Sequence, residues 1–152
     1  MNNGFIKIYL AGACKNVEDE GRKWRKYVSD EFYKISKYDA LKSCIIDPTK
    51  YFSYSDPVHK NDRQVKNFYM SMIDTCDLVL INLEDSASSV GSGQEVQHAV
   101  DLHIPVIGIK GHNSYPWLEN VDCDVVFDSI EEAIGYIKRY YMASAQPIGN
   151  MK

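Results

Sequence analysis

Along the chain, short β-branched apolar runs alternate with longer stretches whose apolar positions recur at helical spacing. Residues 5–11 (FIKIYLA) alternate and end at Gly12, which predicts a strand followed by a turn. From Glu18 to about Lys37, Trp24, Tyr27, Val28, Phe32 and Ile35 recur among charges, the pattern of an amphipathic helix. Residues 43–46 make a short strand stopped by Asp47-Pro48. Residues 49–62 hold tyrosines, Pro57 and polar groups without a period; this surface loop reads equally as a wall over a site and as a tolerated insertion. Helical spacing returns from Arg63 to Thr75 at Val65, Phe68, Tyr69, Met72 and Ile73, and leads into the apolar run 77–83 (DLVLINL), a buried strand.

Residues 88–100 (SSVGSGQEVQHAV) are a small-residue loop running into a helix, and 104–109 (IPVIGI) is a further buried strand. Strand, glycine loop, helix and strand make one βαβ unit, with its loop at the carboxyl end of the first strand, where open parallel sheets hold ligands. Residues 110–119 form another loop on the same edge, 124–127 a last strand, and Ser129-x-x-Glu132 caps a closing helix that buries Ile130, Ala133, Ile134 and Ile137. This alternation predicts an α/β fold: a doubly wound parallel sheet of about five strands with helices on both faces, Rossmann/flavodoxin-like. One domain is expected over residues 1–142, with a small, polar, frayed tail over 143–152.

Composition narrows the function classes. At 152 residues and 45% apolar content the chain can bury a sizeable core. The net charge of -4 is spread among both signs with no basic stripe, which argues against a nucleic acid polymer and for a small-molecule partner. Cys14, Cys44, Cys76 and Cys123 stand apart, without a C-x-x-C pair or a histidine at zinc spacing, so each reads as a small core residue and neither metal nor disulfide is indicated. With no signal-like start and no apolar run of membrane-spanning length, a soluble, cytoplasmic protein is expected.

The candidate chemistry gathers at the 88–100 loop. Gly91 and Gly93 permit positive φ and close backbone approach, and the N–H groups at the helix start favour an anion. Glu95 admits two readings on this stretch alone. It closes a capping box, Ser92-x-x-Glu95, or it is a carboxylate placed at a ligand site.

Four stretches, IYLAG (8–12), CDLVLINL (76–83), SVGSGQEVQHAV (89–100) and IPVIGI (104–109), resemble the nucleoside 2-deoxyribosyltransferase superfamily, which includes the 2'-deoxynucleoside 5'-phosphate N-hydrolases. The stretch 115–137 resembles it more weakly. The resemblance implies that Glu95 attacks the anomeric carbon, expels the base and carries the sugar as an ester until water or a second base takes it. Ser89, six residues before Glu95, stands where the nucleotide hydrolases bind the 5'-phosphate and many nucleoside transferases carry an aspartate; unaided, it reads equally as a turn residue.

Tyr69 departs from the family pattern, which has an aspartate eight residues before the Asp77 position to orient the nucleophile or protonate the leaving base. Tyr69, Asp62 or a group from another chain is left for that task. Gly12, Lys15, Asp77 and Asn113 are further candidates for substrate contact, and Tyr115 and Trp117 for stacking or an interface, since relatives form dimers or larger assemblies. His98 reads as a packed or surface residue rather than a base. No cofactor is implied. Two rival functions stand beside this one: a non-catalytic nucleotide-binding or sensing protein, motivated by Tyr69, and a phosphoribohydrolase acting on ribonucleotides.

Overall fold

The computed structural model describes residues 5–14, 17–36, 42–51 and 60–142. Five strands, β1 (Phe5–Gly12), β2 (Lys42–Ile46), β3 (Leu78–Asn82), β4 (Val106–Ile109) and β5 (Val125–Phe127), form one sheet in the order β2-β1-β3-β4-β5, all parallel. The order reverses between β1 and β3, and the crevice outside the carboxyl ends of those strands is where such a sheet binds ligands. The doubly wound fold expected from the alternation is the one observed.

Strand periodicity decides what each face buries. Ile6, Ile8 and Leu10 of β1 and Leu78 and Leu80 of β3 pack under α1 (Arg22–Ser36) and α4 (Ile130–Ile137), against Val28, Phe32, Ala133, Ile134 and Ile137. The alternate residues Tyr9, Ala11, Val79 and Ile81 pack under α2 (Asp62–Asp74) and α3 (Val90–Asp101), against Ile73, Val96 and Ala99. One strand therefore serves two cores, and successive side chains of β1 report to opposite sides of the molecule.

Strand ends shift by one or two residues from the sequence reading, and the larger differences are at α1 and the loop after β2. α1 starts at Arg22 rather than Glu18, because Glu20 (φ 57) and Gly21 (φ 73) turn into the left-handed region and the Asp19 carboxylate accepts the N–H groups of Gly21 and Lys23. The loop expected at 49–62 is shorter at both ends: residues 48–50 form a 3₁₀ turn capped by Asp47, and Asn61 caps α2. Its middle, residues 52–59, and the expected tail 143–152 lie outside the described residues. The Ser129 cap is present, its hydroxyl accepting the Glu132 N–H at 3.1 Å.

The four cysteines are free, and not all are core residues as expected. Cys76 is buried, Cys123 partly so, but Cys44 is exposed on the edge strand β2 and Cys14 lines a cleft. Among the described residues no helix is long and apolar enough to cross a membrane.

Candidate functional site

A cleft of about 660 Å³ opens at the carboxyl ends of β1 and β3, at the point where the strand order reverses. Gly12, Ala13 and Cys14 form one wall, Asp62, Val65, Lys66 and Tyr69 of α2 another, and Asp85 with the start of α3 the third. Gly12 allows the strand end to close against its neighbours: a Cβ there would lie 3.1 Å from the Trp24 ring and 3.3 Å from the Asn82 carbonyl.

Glu95 lines this cleft from the second turn of α3 and is 8 % exposed. The Tyr9 hydroxyl, brought up from the buried face of β1, donates to its Oε2; among the described residues Oε1 accepts no hydrogen bond. Burial pushes the Glu95 carboxyl up to about 7, against the opposing pull of the Tyr9 hydrogen bond and the charge of Arg25. Tyr9 is in turn held well above the usual phenol range, first by burial and then by Glu95. The result is a desolvated carboxyl with one oxygen anchored and the other unanchored, divided between acid and anion near neutral pH. Tyr9→Phe removes the donor that favours the anion. A ¹³C titration of the Glu95 carboxyl should then show a midpoint above that of the wild type, and a midpoint unchanged or lower would contradict the hydrogen bond's role.

The capping-box reading of Glu95 is corrected. α3 begins at Val90, one turn earlier than that box requires, and its cap is Ser89, whose hydroxyl accepts the Ser92 N–H at 3.4 Å and lies 2.7 Å from the Ser92 hydroxyl. Glu95 is thereby left to accept the Tyr9 hydroxyl on the face of the sheet that α3 covers.

The glycines also act differently from expectation. Gly91 and Gly93 both sit in the first turn of α3 with open space where a Cβ would lie, and neither has positive φ. Gly91 lines the cleft. Gly93 does not: its N–H donates to the Ser89 carbonyl at 3.3 Å, and it faces a second groove of about 360 Å³. The donors that the helix cannot pair internally are those of Val90 and Gly91 at its mouth.

Ser89 and Tyr69 both line the cleft, Tyr69 with its hydroxyl 3.5 Å from the Pro48 carbonyl. Asn113 stands beside the rim at φ 52, its amide donating to the Ser88 hydroxyl at 3.0 Å and its carbonyl accepting the Ala87 N–H, so it braces the loop that leads into α3. Lys15 lies outside the described residues. Asp77 is not brought to the site. It precedes β3, at the amino edge of the sheet, where its Oδ2 accepts the Lys7 N–H at 2.8 Å and its own N–H donates to the Lys7 carbonyl at 2.9 Å. A residue that opens a parallel strand faces away from the carboxyl rim, so the substrate-contact expectation for Asp77 is withdrawn.

His98 meets Asp74 at 2.6 Å and ties α3 to α2 outside the cleft. Tyr115 and Trp117, the latter 68 % exposed, border the second groove beside α3. Two features were missed by the sequence reading. Tyr9 was read only as part of a strand, although a buried tyrosine hydroxyl calls for a partner. Asp85 lines the cleft in a left-handed conformation (φ 57) that gives no sequence signal except its acceptability to aspartate.

No protein-family model matches the chain, and no curated protein matches it in sequence. Solved structures do. A conserved protein from Enterococcus faecalis V583 superposes with a TM-score of 0.65 at 16% identity, covering 89% of this chain and 98% of that one. A 2-deoxyribosyltransferase from Leishmania mexicana gives 0.62 at 19% identity, over 90% of this chain and 99% of that one. The 2-deoxyribosyltransferase from Bacillus psychrosaccharolyticus gives 0.61 at 16% identity, over 91% and 94%. Over nearly its whole length, then, the chain is similar in fold to the 2-deoxyribosyltransferases.

Proposed function

We propose that the protein cleaves the N-glycosidic bond of a 2'-deoxynucleoside or its 5'-monophosphate, with Glu95 as the nucleophile. The observation that carries this reading is the Glu95 carboxyl itself: buried at a ligand-binding crevice, oriented by the Tyr9 hydroxyl through one oxygen, and left with the other oxygen for attack. Oε1 bonds to C1' as the C1'–N bond breaks, and that electron pair leaves with the base, which takes up a proton. Water or a second base then opens the glycosyl ester and restores the carboxylate. Tyr69, Asp62 and Asp85 line the cleft and each can carry the proton the base requires.

The 5' end of the sugar is assigned to the mouth of α3, where Ser89 and the N–H groups of Val90 and Gly91 favour a phosphate, and Lys66 lines the same cleft. Ser89→Asp tests this without removing the helix cap, because aspartate caps as well as serine does. A carboxylate at that point should lower kcat/KM for a monophosphate relative to its nucleoside by at least about tenfold. An unchanged ratio would move the phosphate elsewhere.

The defining experiment incubates the protein with deoxynucleosides, ribonucleosides and their monophosphates, with and without an added free base, and separates the products by chromatography. Release of free base from deoxyribo substrates is expected. Release from ribonucleotides alone would favour a phosphoribohydrolase, and saturable binding with no release would favour a sensor.

A further inference from the structure

Arg25 is 1 % exposed, and the reaction described above gives it no task. Its Nε donates to the Leu10 carbonyl at 3.2 Å, Nη2 to the Gly12 carbonyl at 3.0 Å and Nη1 to the Gly21 carbonyl at 2.8 Å. Gly21, at φ 73, makes the room: a Cβ there would lie 2.3 Å from Nη1. All three acceptors are neutral, and no carboxylate among the described residues pairs with the guanidinium. A cation this deeply buried without a counter-ion is costly, so its net charge calls for an explanation. Two of its acceptors belong to the carboxyl half of β1, the strand whose Tyr9 holds Glu95.

We infer that Arg25 is a positioning residue for Glu95: it pins the end of β1 that carries Tyr9 and sets a fixed, buried positive charge behind that strand end. Its part in catalysis rests on the reading of Glu95 as nucleophile; its effect on the carboxyl does not. The guanidinium favours the anionic form of Glu95, and of Tyr9 and Cys14 beside it, in each case against burial. The other groups around Glu95 are Tyr9 from β1, Cys14 from the following loop, Tyr69, Lys66 and Asp62 from α2, and Asp85 after β3. Of these only Lys66 is cationic, and it is exposed and screened by solvent, whereas Arg25 is not.

Two replacements separate charge from packing. Arg25→Met and Arg25→Lys both lose hydrogen bonds to the three carbonyls, so both melt at lower temperature. Only Arg25→Met loses the charge. In protein labelled with ¹³C at glutamate carboxyls, its Glu95 midpoint should rise by about one pH unit, while Arg25→Lys keeps the wild-type midpoint. Arg25→Gln replaces Met if the latter does not fold. The acidic limb of kcat/KM should move with the midpoint. A midpoint unmoved by the neutral variant, or moved equally by lysine, overturns the inference and leaves Arg25 a structural clamp. A midpoint that moves in a protein releasing no base keeps this inference and sinks the proposed reaction; base release with an unmoved midpoint does the reverse.

Discussion

Glu95→Gln folds as the wild type does and releases base from deoxyribo substrates on the order of 10³-fold more slowly or worse, the loss expected when a covalent nucleophile is removed. Glutamine preserves the volume and still accepts the Tyr9 O–H, so the substitution takes away charge and nucleophilicity but not shape. Substrate binding should survive, because the walls of the cleft are untouched; saturable binding of the same nucleotide by calorimetry is the control. A residual rate within tenfold of wild type would remove Glu95 from the chemistry.

The same substitution should stabilise the fold at alkaline pH. Glu95 titrates at about 7 in the folded protein against 4.5 in a model peptide, so its folded pKa is raised. Its contribution is therefore fully present below about 4.5, is lost as pH rises toward 7, and stays lost above; the shift corresponds to about 3 kcal/mol. Glu95→Gln has no proton to lose. Its melting temperature should exceed that of the wild type by several degrees at pH 8, with the difference shrinking toward pH 4.5. A pH-independent difference, or a variant less stable at pH 8, would show that the carboxyl is not strained by burial. Such a trade of stability for a buried charge is what an active-site group exhibits and what a helix cap does not.

Much of this was legible from periodicity. The run Leu78-Val79-Leu80-Ile81 announces burial on both faces because four consecutive positions are apolar, and the glycine loop before Glu95 follows it, so the rim and its carboxylate could be located together. The exact start of α3 was not legible: Ser89-x-x-Ser92 and Ser92-x-x-Glu95 are both plausible caps, and the Glu95 carboxyl is instead engaged by Tyr9, distant in sequence but on the face of the sheet that α3 covers. Arg25 is not singled out by the sequence reading, which takes it only as one of the charges among the apolar positions of α1. Its spacing from Val28 and Phe32, three and seven residues on, places it on the buried stripe, and that signal was available. Asp77 was misplaced for the opposite reason. Its type suggested a ligand contact, but its position ahead of the strand already put it at the amino edge.

The most direct measurement is of the bond the reaction requires. Protein mixed with a deoxynucleoside or its monophosphate, quenched in acid during turnover and digested, should yield the Glu95 peptide heavier by one deoxyribosyl or deoxyribosyl-phosphate group, and the Glu95→Gln protein should yield none. Base release with the sugar on another residue, or with no adduct and an undiminished rate in Glu95→Gln, would contradict the account.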